Sequence, residues 1–517
     1  MHVRAKASVA GMVAVALALG VTELAASLID GVPSLVTAVA SYVVPVTPPA
    51  VESWAIRTFG TSDKAVLAFG TVVITIGVGA MAGWLGARRR ADALTLLVVF
   101  MAIGGFAALM QPLVSGLPTA LVVVAVGTGT WVFLRTALDL VAEGHPVTAE
   151  DSTDPTVKPG DPLRPPVARR SFLGLVGGAG VTAAAAAAGA RGLSSPTPVA
   201  IDATDLPMPT RSLPAPSSAN AFDIEGLAPI HVPNDDFYLI DTALSVPRID
   251  ASSWTLRVTG MVDRELELTF DDLLAMSAVE RDVTIACVSN EVGGDLVGNA
   301  RWLGVRLREV LEQAGVQEGA TQVVGRSVDG WTGGFPTEAV FDGREPIIAY
   351  GMNGEPLPAS HGYPARLIVP GLYGYVSATK WLTEVELTTW EDFDGYWVPR
   401  GWAKEGPIKT QSRIDVPRPG SSVAPGEVVV AGVAWAPTRG IDLVEVRVDG
   451  GEWLPCELSD PLSHEAWVQW TRTVDMAPGD HRLEVRATDG TGFTQSEQRV
   501  APRPDGAEGW HTVRVRT

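Results

Sequence analysis

The sequence predicts three structural classes in succession: an α-helical membrane part, then an α+β unit, then an all-β sandwich. Three observations carry this. The first 200 residues hold long apolar runs, residues 221–415 mix strand-like and helix-like pieces, and the texture from about 420 is purely β. Charge follows the same division. Residues 1–200 contain 13 basic and 11 acidic residues, leaving 26 basic and 47 acidic for the rest of the 517. With 46% hydrophobic residues and a mean hydropathy of +0.20, the chain is too apolar to be wholly water-exposed. A net charge of −19 argues against nucleic acid as a partner. Two cysteines exclude a disulfide-dense scaffold.

The helices come first. Runs 8–28, 65–86, 93–110 and 117–136 match the roughly 20 residues that a helix needs to cross a hydrocarbon core. Run 32–46 is shorter and contains Pro33, with Pro45, Pro48 and Pro49 at its end. It reads as re-entrant or interfacial. Arg88, Arg89 and Arg90 belong in the cytoplasm, so with Met1 inside an even number of spans must precede them. Residues 1–136 are thus the membrane helices. Residues 137–170 read as a proline-rich cytoplasmic linker that ends in Arg169-Arg170, with Ser171-Phe172-Leu173 next. Ahead of the weakly apolar 171–190, this resembles a twin-arginine export signal. The plainer alternative is a further spanning helix with basic residues on its inner flank. Both readings make 171–190 a crossing from inside to outside. Segment 191–220, rich in Ser, Pro and Thr, is a tether, and everything after it should be extracytoplasmic. His2 and His145 are the histidines before residue 200, and neither lies in a span, so no histidine pair offers itself for a membrane haem. No Cys-x-x-Cys-His occurs for a c-type haem either.

In the α+β unit, 254–258 reads as a strand, Phe270–Met276 as a short helix, Val283–Ala286 as a buried strand, Val305–Ala314 as an amphipathic helix and Leu367–Pro370 as a strand. In the last unit, 420–517, strands are expected at Val428–Val433, Leu443–Val448, Trp467–Thr473 and His481–Thr488. Asp449-Gly450-Gly451 and Asp489-Gly490 supply turns, and the spacing suggests an immunoglobulin-like sandwich. Cys456 is expected to be a packing residue there.

Cys287 stands at the end of the buried strand and enters the loop Val288-Ser289-Asn290-Glu291-Val292-Gly293-Gly294. By itself it fits either a packed core thiol or a ligand pointing into a cleft. Its company is more specific. In order along the chain stand Asn234-Asp235-Asp236-Phe237-Tyr238, then Trp254 through Gly260, then Cys287 with Asn290. Ala300 through Val305, Ala349 through Pro358, His361-Gly362-Tyr363-Pro364-Ala365-Arg366, Val369-Pro370-Gly371 and Lys380-Trp381 follow. Over about 225–515 this resembles the sulfite oxidase family of molybdenum enzymes. The resemblance implies a sulfite-oxidase-like molybdopterin domain over 221–415 and a terminal sandwich of the type that forms homodimers.

It also implies a mononuclear molybdenum held by one pterin and by the thiolate of Cys287, a soft ligand suited to a redox-cycling metal. Arg366 would offer a fork to the pterin phosphate, with Lys380 and the amides around Ser377 as further donors. His361 would hydrogen-bond the cofactor, and Asn234, Tyr238 and Asn290 would line the site. Tyr396, at a position where members often place an active-site tyrosine, would serve as a proton donor, with simple packing in its aromatic stretch as the alternative. Sulfite-oxidising members carry arginine and histidine after the Phe-aromatic pair and an arginine after the metal-binding cysteine. Here those stretches read Leu239-Ile240-Asp241-Thr242 and Glu291-Val292-Gly293-Gly294, with Asp295 beyond. Desolvating sulfite without paired cations is costly. The expectation is therefore two-electron oxygen-atom transfer on a small or sulfoxide-type substrate outside the cytoplasm. A sulfite dehydrogenase is the alternative enzyme, and a non-catalytic surface module that keeps the fold is the alternative of another class. No haem is expected, so electrons must be exchanged with a quinone, a cytochrome or a membrane subunit.

Overall fold

The structure is a computed structural model. It describes residues 205–517 without a break, and 3–193 apart from 30, 49–50, 52–53, 56–57, 60–62, 112–113 and 144–166. The chain forms two compact units, and all the described residues from 205 onward except Ala243–Ser245 belong to the second.

The first unit is helical: α1 (Val3–Leu28), α2 (Leu35–Val46), α3 (Asp63–Gly86), α4 (Arg90–Leu109), α5 (Gly116–Glu143) and α6 (Val167–Leu193). All except α2 are long and apolar enough to cross a membrane. The 12 residues of α2 fall short, and its first turn is fixed by Ser34 Oγ, which accepts the Thr37 amide. Two expectations need correction. The linker placed at 137 starts later, because α5 continues through Glu143. Arg169 and Arg170 stand in the first turn of α6, because no breaker follows Val167. The remainder of that linker, 144–166, lies outside the described residues.

The second unit opens with two five-stranded sheets. One runs in the order β2 (Leu266–Thr269), β1 (Thr255–Gly260), β10 (Leu382–Thr388), β5 (Gln322–Ser327), β6 (Thr332–Pro336), with β1 and β10 parallel. The other runs β3 (Ala278–Ala286), β4 (Val297–Arg306), β7 (Ile347–Met352), β8 (Glu355–Pro356), with β9 (Arg366–Ile368) paired to β7. Short helices connect them. A capping box between Thr269 and Asp272 starts α7 (Phe270–Ala275). The amphipathic helix α8 (Leu307–Ala314) begins two residues later than its pattern suggests, because Val305 and Arg306 are held in β4 by Ile348 and Ile347. Next come α9 (Glu338–Phe341) and α10 (Gly374–Ser377).

Two four-stranded antiparallel sheets complete the unit. Their orders are β11 (Gln411–Val416), β12 (Gly426–Trp435), β16 (Val468–Met476), β15 (Glu457–Leu458), and β14 (Leu454–Pro455), β13 (Ile441–Val448), β17 (Asp480–Asp489), β18 (His511–Arg516). Val430 and Trp470 of one sheet share a fully buried core with Val444, Leu483 and Val513 of the other. Cys456 packs half-buried against this core as a free thiol. The sandwich begins at Gln411 rather than 420, since β11 pairs with β12 from Gln411↔Trp435 onward.

The expected tether through 220 is docked chain instead, at least from Thr210. The Thr210 amide donates to Ala278 O, and the Leu213 amide to Glu280 Oε2 at 2.7 Å. Arg301 Nη2 reaches Pro214 O, and Asp460 N donates to Ala219 O. Backbone groups that a free tether would leave to water are satisfied by the edge of β3 and by the sandwich.

Candidate active site

The strand β3 is buried along Asp282–Ala286 and paired throughout with β4. It delivers Cys287 to a loop that closes on itself. The Cys287 amide donates to Leu296 O, the Asn290 amide to Cys287 O, and the Leu296 amide to Asn290 Oδ1, all at 2.9–3.0 Å. Asn290 is thus a loop brace. The sandwich holds the far side. Gly293 has φ +81 and packs against the ring of His511, where any Cβ would overlap the imidazole. Arg413 Nη1 donates to Gly294 O at 2.9 Å. Thr284, three residues before the cysteine, donates its amide to Glu465 O.

Cys287 is 8% exposed. Burial pushes its thiol up, opposed by the Ser289 amide 3.4 Å from Sγ. A buried thiolate with no cation beside it is costly, and a bound metal cation removes that cost.

The next group of expected residues is positioned by the turn after β8. A 3₁₀ turn, Ala359–His361, ends at Gly362, whose φ of +114 brings its backbone against Lys380 and Arg366. His361 is 2% exposed, and its Nε2 donates to Asn234 O at 2.8 Å. Burial, together with the charges of Arg366 and Lys380, lowers its pKa to about 4, so the ring is neutral at pH 7. The Phe237 ring stands edge-on to His361 and to Trp302, and stacks on Tyr238.

Arg366 is buried with its guanidinium 5.0 Å from the Trp302 ring centre. Nη1 donates to His361 O at 3.0 Å and Nη2 lies 3.5 Å from Ala378 O, while Nε, buried, has no partner. Burial lowers its pKa to about 10. Tyr238 reports both neighbours: burial raises its phenol pKa, the Cys287 charge raises it further, and Arg366 opposes them. Cys287, Tyr238 and Arg366 therefore share one electrostatic environment.

Other residues take supporting positions. Asn234 donates to Met352 O and Glu355 and accepts from Asn353. Ser377 donates to Leu372 O and Tyr373 O from within α10. Lys380 is 8% exposed, ion-paired to Asp241 at 2.9 Å and bonded to Ser360 O. Tyr396 hangs from the start of β6 through its amide to Thr332 O, with Arg400 3.8 Å above its ring. One tyrosine was not anticipated. Burial raises Tyr373 to about 12, and the Cys287 charge contributes. It lies between Gly371 and Lys380, two positions already singled out, but nothing in its local sequence marks it.

A buried free thiol, an orphaned guanidinium N–H and a neutral histidine fit a metal–pterin group. Cys287 would ligate the metal, and Arg366 and His361 would hold the pterin.

Residues 243–397 match the family described as oxidoreductase molybdopterin binding domain. Chicken sulfite oxidase is 31% identical over 323 residues, covering 52% of this chain and 69% of that protein. Human mitochondrial sulfite oxidase is 31% identical over 325 residues, covering 53% of this chain and 59% of the human protein. An uncharacterized oxidoreductase, YuiH, of Bacillus subtilis is 37% identical over 157 residues, covering 30% of this chain and 76% of YuiH. The chain belongs to the sulfite oxidase family of oxidoreductases and carries a molybdopterin cofactor with molybdenum.

Proposed function

We propose that this protein is a membrane-anchored, extracytoplasmic molybdenum oxidoreductase that reduces a neutral oxo compound of the sulfoxide type. The balance is two electrons and two protons taken up, with the sulfide and one water released. The bound cofactor supplies the two-electron redox couple and the acceptor for the oxygen atom.

The chain's own residues do the rest. Cys287 holds the metal on a loop closed by Asn290. His361, with its proton on Nε2 fixed to Asn234 O, stays neutral and is held in place by that bond. Tyr238 and Tyr373, kept un-ionised by burial, retain their phenolic protons. Tyr396 remains the proposed donor to the departing oxygen. Lys380, Asn234 and Ser377 act as positioning groups.

One observation carries the choice of substrate. The stretch after Tyr238 presents exposed Leu239 and Ile240, and the nearby Lys380 is neutralised by Asp241. Glu291 and Asp295 are exposed on the cysteine loop. This environment favours a neutral oxo group over the sulfite dianion. The relatives named as sulfite oxidases favour the second reading, a sulfite dehydrogenase.

Five long apolar helices support the membrane anchor. The sheet orders β11-β12-β16-β15 and β14-β13-β17-β18 support an immunoglobulin-like sandwich suited to homodimer formation. A quinone, cytochrome or membrane subunit would deliver the electrons. The test is the molybdenum and pterin content of the purified protein, with turnover of methyl phenyl sulfoxide by reduced viologen set against sulfite-dependent ferricyanide reduction. Sulfite turnover without sulfoxide turnover rejects the first reading. Absence of molybdenum in protein made with cofactor available favours the non-catalytic module.

A further inference from the structure

The helical unit holds a cavity to which helices α1 to α5 all contribute. Leu19, Val36, Leu97 and Phe100 give it hydrocarbon walls. Its space is about 650 Å³, part of it open to the surroundings, which is the size of a small-molecule site. A Cβ on Gly104 of α4, also in the wall, would meet nothing within 4 Å. Among the described residues that line the cavity, none is ionisable. An ion there would lose its hydration without gaining a partner, so a fitting occupant is neutral and mostly hydrocarbon.

The polar side chains in the lining are threonines: Thr22 of α1, Thr71 and Thr75 of α3, and Thr130 of α5. Thr22, Thr75 and Thr130 are at most 7% exposed. Each hydroxyl donates its hydrogen along its own helix. Thr22 donates to Leu19 O and Thr71 to Leu67 O at 2.9 Å, and Thr75 donates to Thr71 O and Thr130 to Val126 O at 2.7 Å. Among the described residues, none of the four donates to another helix, although buried threonines often tie membrane helices together in that way. With the hydrogens spent, the hydroxyl oxygens keep lone pairs. These side chains therefore offer the cavity acceptors and no free donor.

We propose that this cavity binds a hydroquinone, the reduced and hydroxyl-bearing form of a lipophilic quinone. A neutral alkylated ring suits the hydrocarbon walls, and its O–H groups suit the threonine oxygens. The oxidised form carries carbonyl acceptors alone, which those oxygens cannot satisfy, so the cavity holds the reduced form more tightly. Conversion to the quinone breaks the two O–H bonds and releases two electrons and two protons, the same number that the proposed reduction takes up. The inference rests on the membrane reading of this unit, and on the proposed reaction only for the use of those electrons.

The test uses the full-length, molybdenum-loaded protein in lipid nanodiscs, with protein-free nanodiscs as the blank for partition into lipid. The probes are 1-naphthol, which has the donor, and 1-methoxynaphthalene and 1,4-naphthoquinone, which lack it, with farnesol as an aliphatic alcohol. 1-Naphthol should bind saturably and about tenfold more tightly than the ether or the quinone, the size of one hydrogen bond. Thr75→Val combined with Thr130→Val should bring 1-naphthol down to the affinity of the ether and leave the ether unchanged. Gly104→Leu should fill the space and abolish binding of both. Equal affinity of the wild type for 1-naphthol and its ether overturns the proposal without any variant. Farnesol binding as tightly as 1-naphthol overturns the aromatic occupant. Binding no greater than the blank leaves the cavity to lipid chains and overturns it as well. The expected pattern of affinities, in a protein that reduces no sulfoxide, keeps the hydroquinone site and rejects the reaction proposed for its electrons.

Discussion

At the residue scale, the proposed chemistry concentrates on Cys287, a buried thiol raised in pKa by desolvation. Serine is nearly isosteric but a harder and far less acidic ligand. Cys287→Ser should leave the fold intact and abolish the sulfur-to-metal charge-transfer absorption, with turnover falling by orders of magnitude. Stability should change only by the lost contribution of bound cofactor. Cys456→Ser is the control, because that thiol packs against the sandwich core and should affect stability alone. Loss of the absorption band in the Cys456 variant, or its survival in the Cys287 variant, would sink the assignment. Arg366 shows how far local sequence reaches. Its block is the proposed cofactor-binding stretch, yet its two Nη groups point at backbone carbonyls and the orphan is Nε. Which nitrogen remains to be satisfied depends on the path of the 359–366 turn, which no spacing rule provides.

At the element scale, the loop between β3 and β4 is held by the sandwich through Gly293 and Arg413. Gly293→Ala combines left-handed backbone strain with a clash against His511. It should cost about 2–3 kcal/mol and lower molybdenum retention. Gly330→Ala, also at positive φ (+84) but with open space around it, should cost only about 1 kcal/mol and leave the metal alone. Metal analysis and chemical denaturation separate the two. A second prediction concerns Asp489 at the end of β17. Burial opposes its charge, but hydrogen bonds from Thr410, Thr491 and Arg439 hold its pKa at about 2. A depressed carboxyl stabilises the fold above its unfolded pKa of about 3.9, and that stabilisation is lost as pH falls towards about 2. Asp489→Asn should cost about 2–3 kcal/mol at pH 7 and flatten the stability curve in that acid window. An unaltered acid profile, read by tryptophan fluorescence, would contradict it.

At the scale of the whole molecule, the proposed topology places Met1, Arg88–Arg90 and the twin arginines inside and 221–517 outside, with an odd number of spans. Reporter fusions after Gly60 and after Arg90 should read outside and inside, and like readings at both points break this arrangement. If the twin arginines address a route for folded proteins, Arg169→Lys with Arg170→Lys should trap a cofactor-loaded precursor inside. Continued export of active protein in that variant would mark α6 as an ordinary spanning helix.

Sequence alone determined the succession of helical, α+β and all-β segments, because hydrophobic period and turn chemistry are local properties. The shortness of the apolar run 32–46 is local in the same way, and Cys287 and Arg366 are the sequence's proposals for the site's chemical centre. Tertiary structure decided what depends on distant partners. The tether became docked chain because the edge of β3 and the sandwich offered hydrogen bonds to 210–220. The sandwich gained β11 because Gln411–Val416 found β12. Lys380 became a neutralised cation because Asp241, 139 positions earlier, lies within 2.9 Å. The raised pKa of Tyr373 has the same origin: burial is set by what the fold brings within a few ångströms, and composition and spacing along the chain do not encode that.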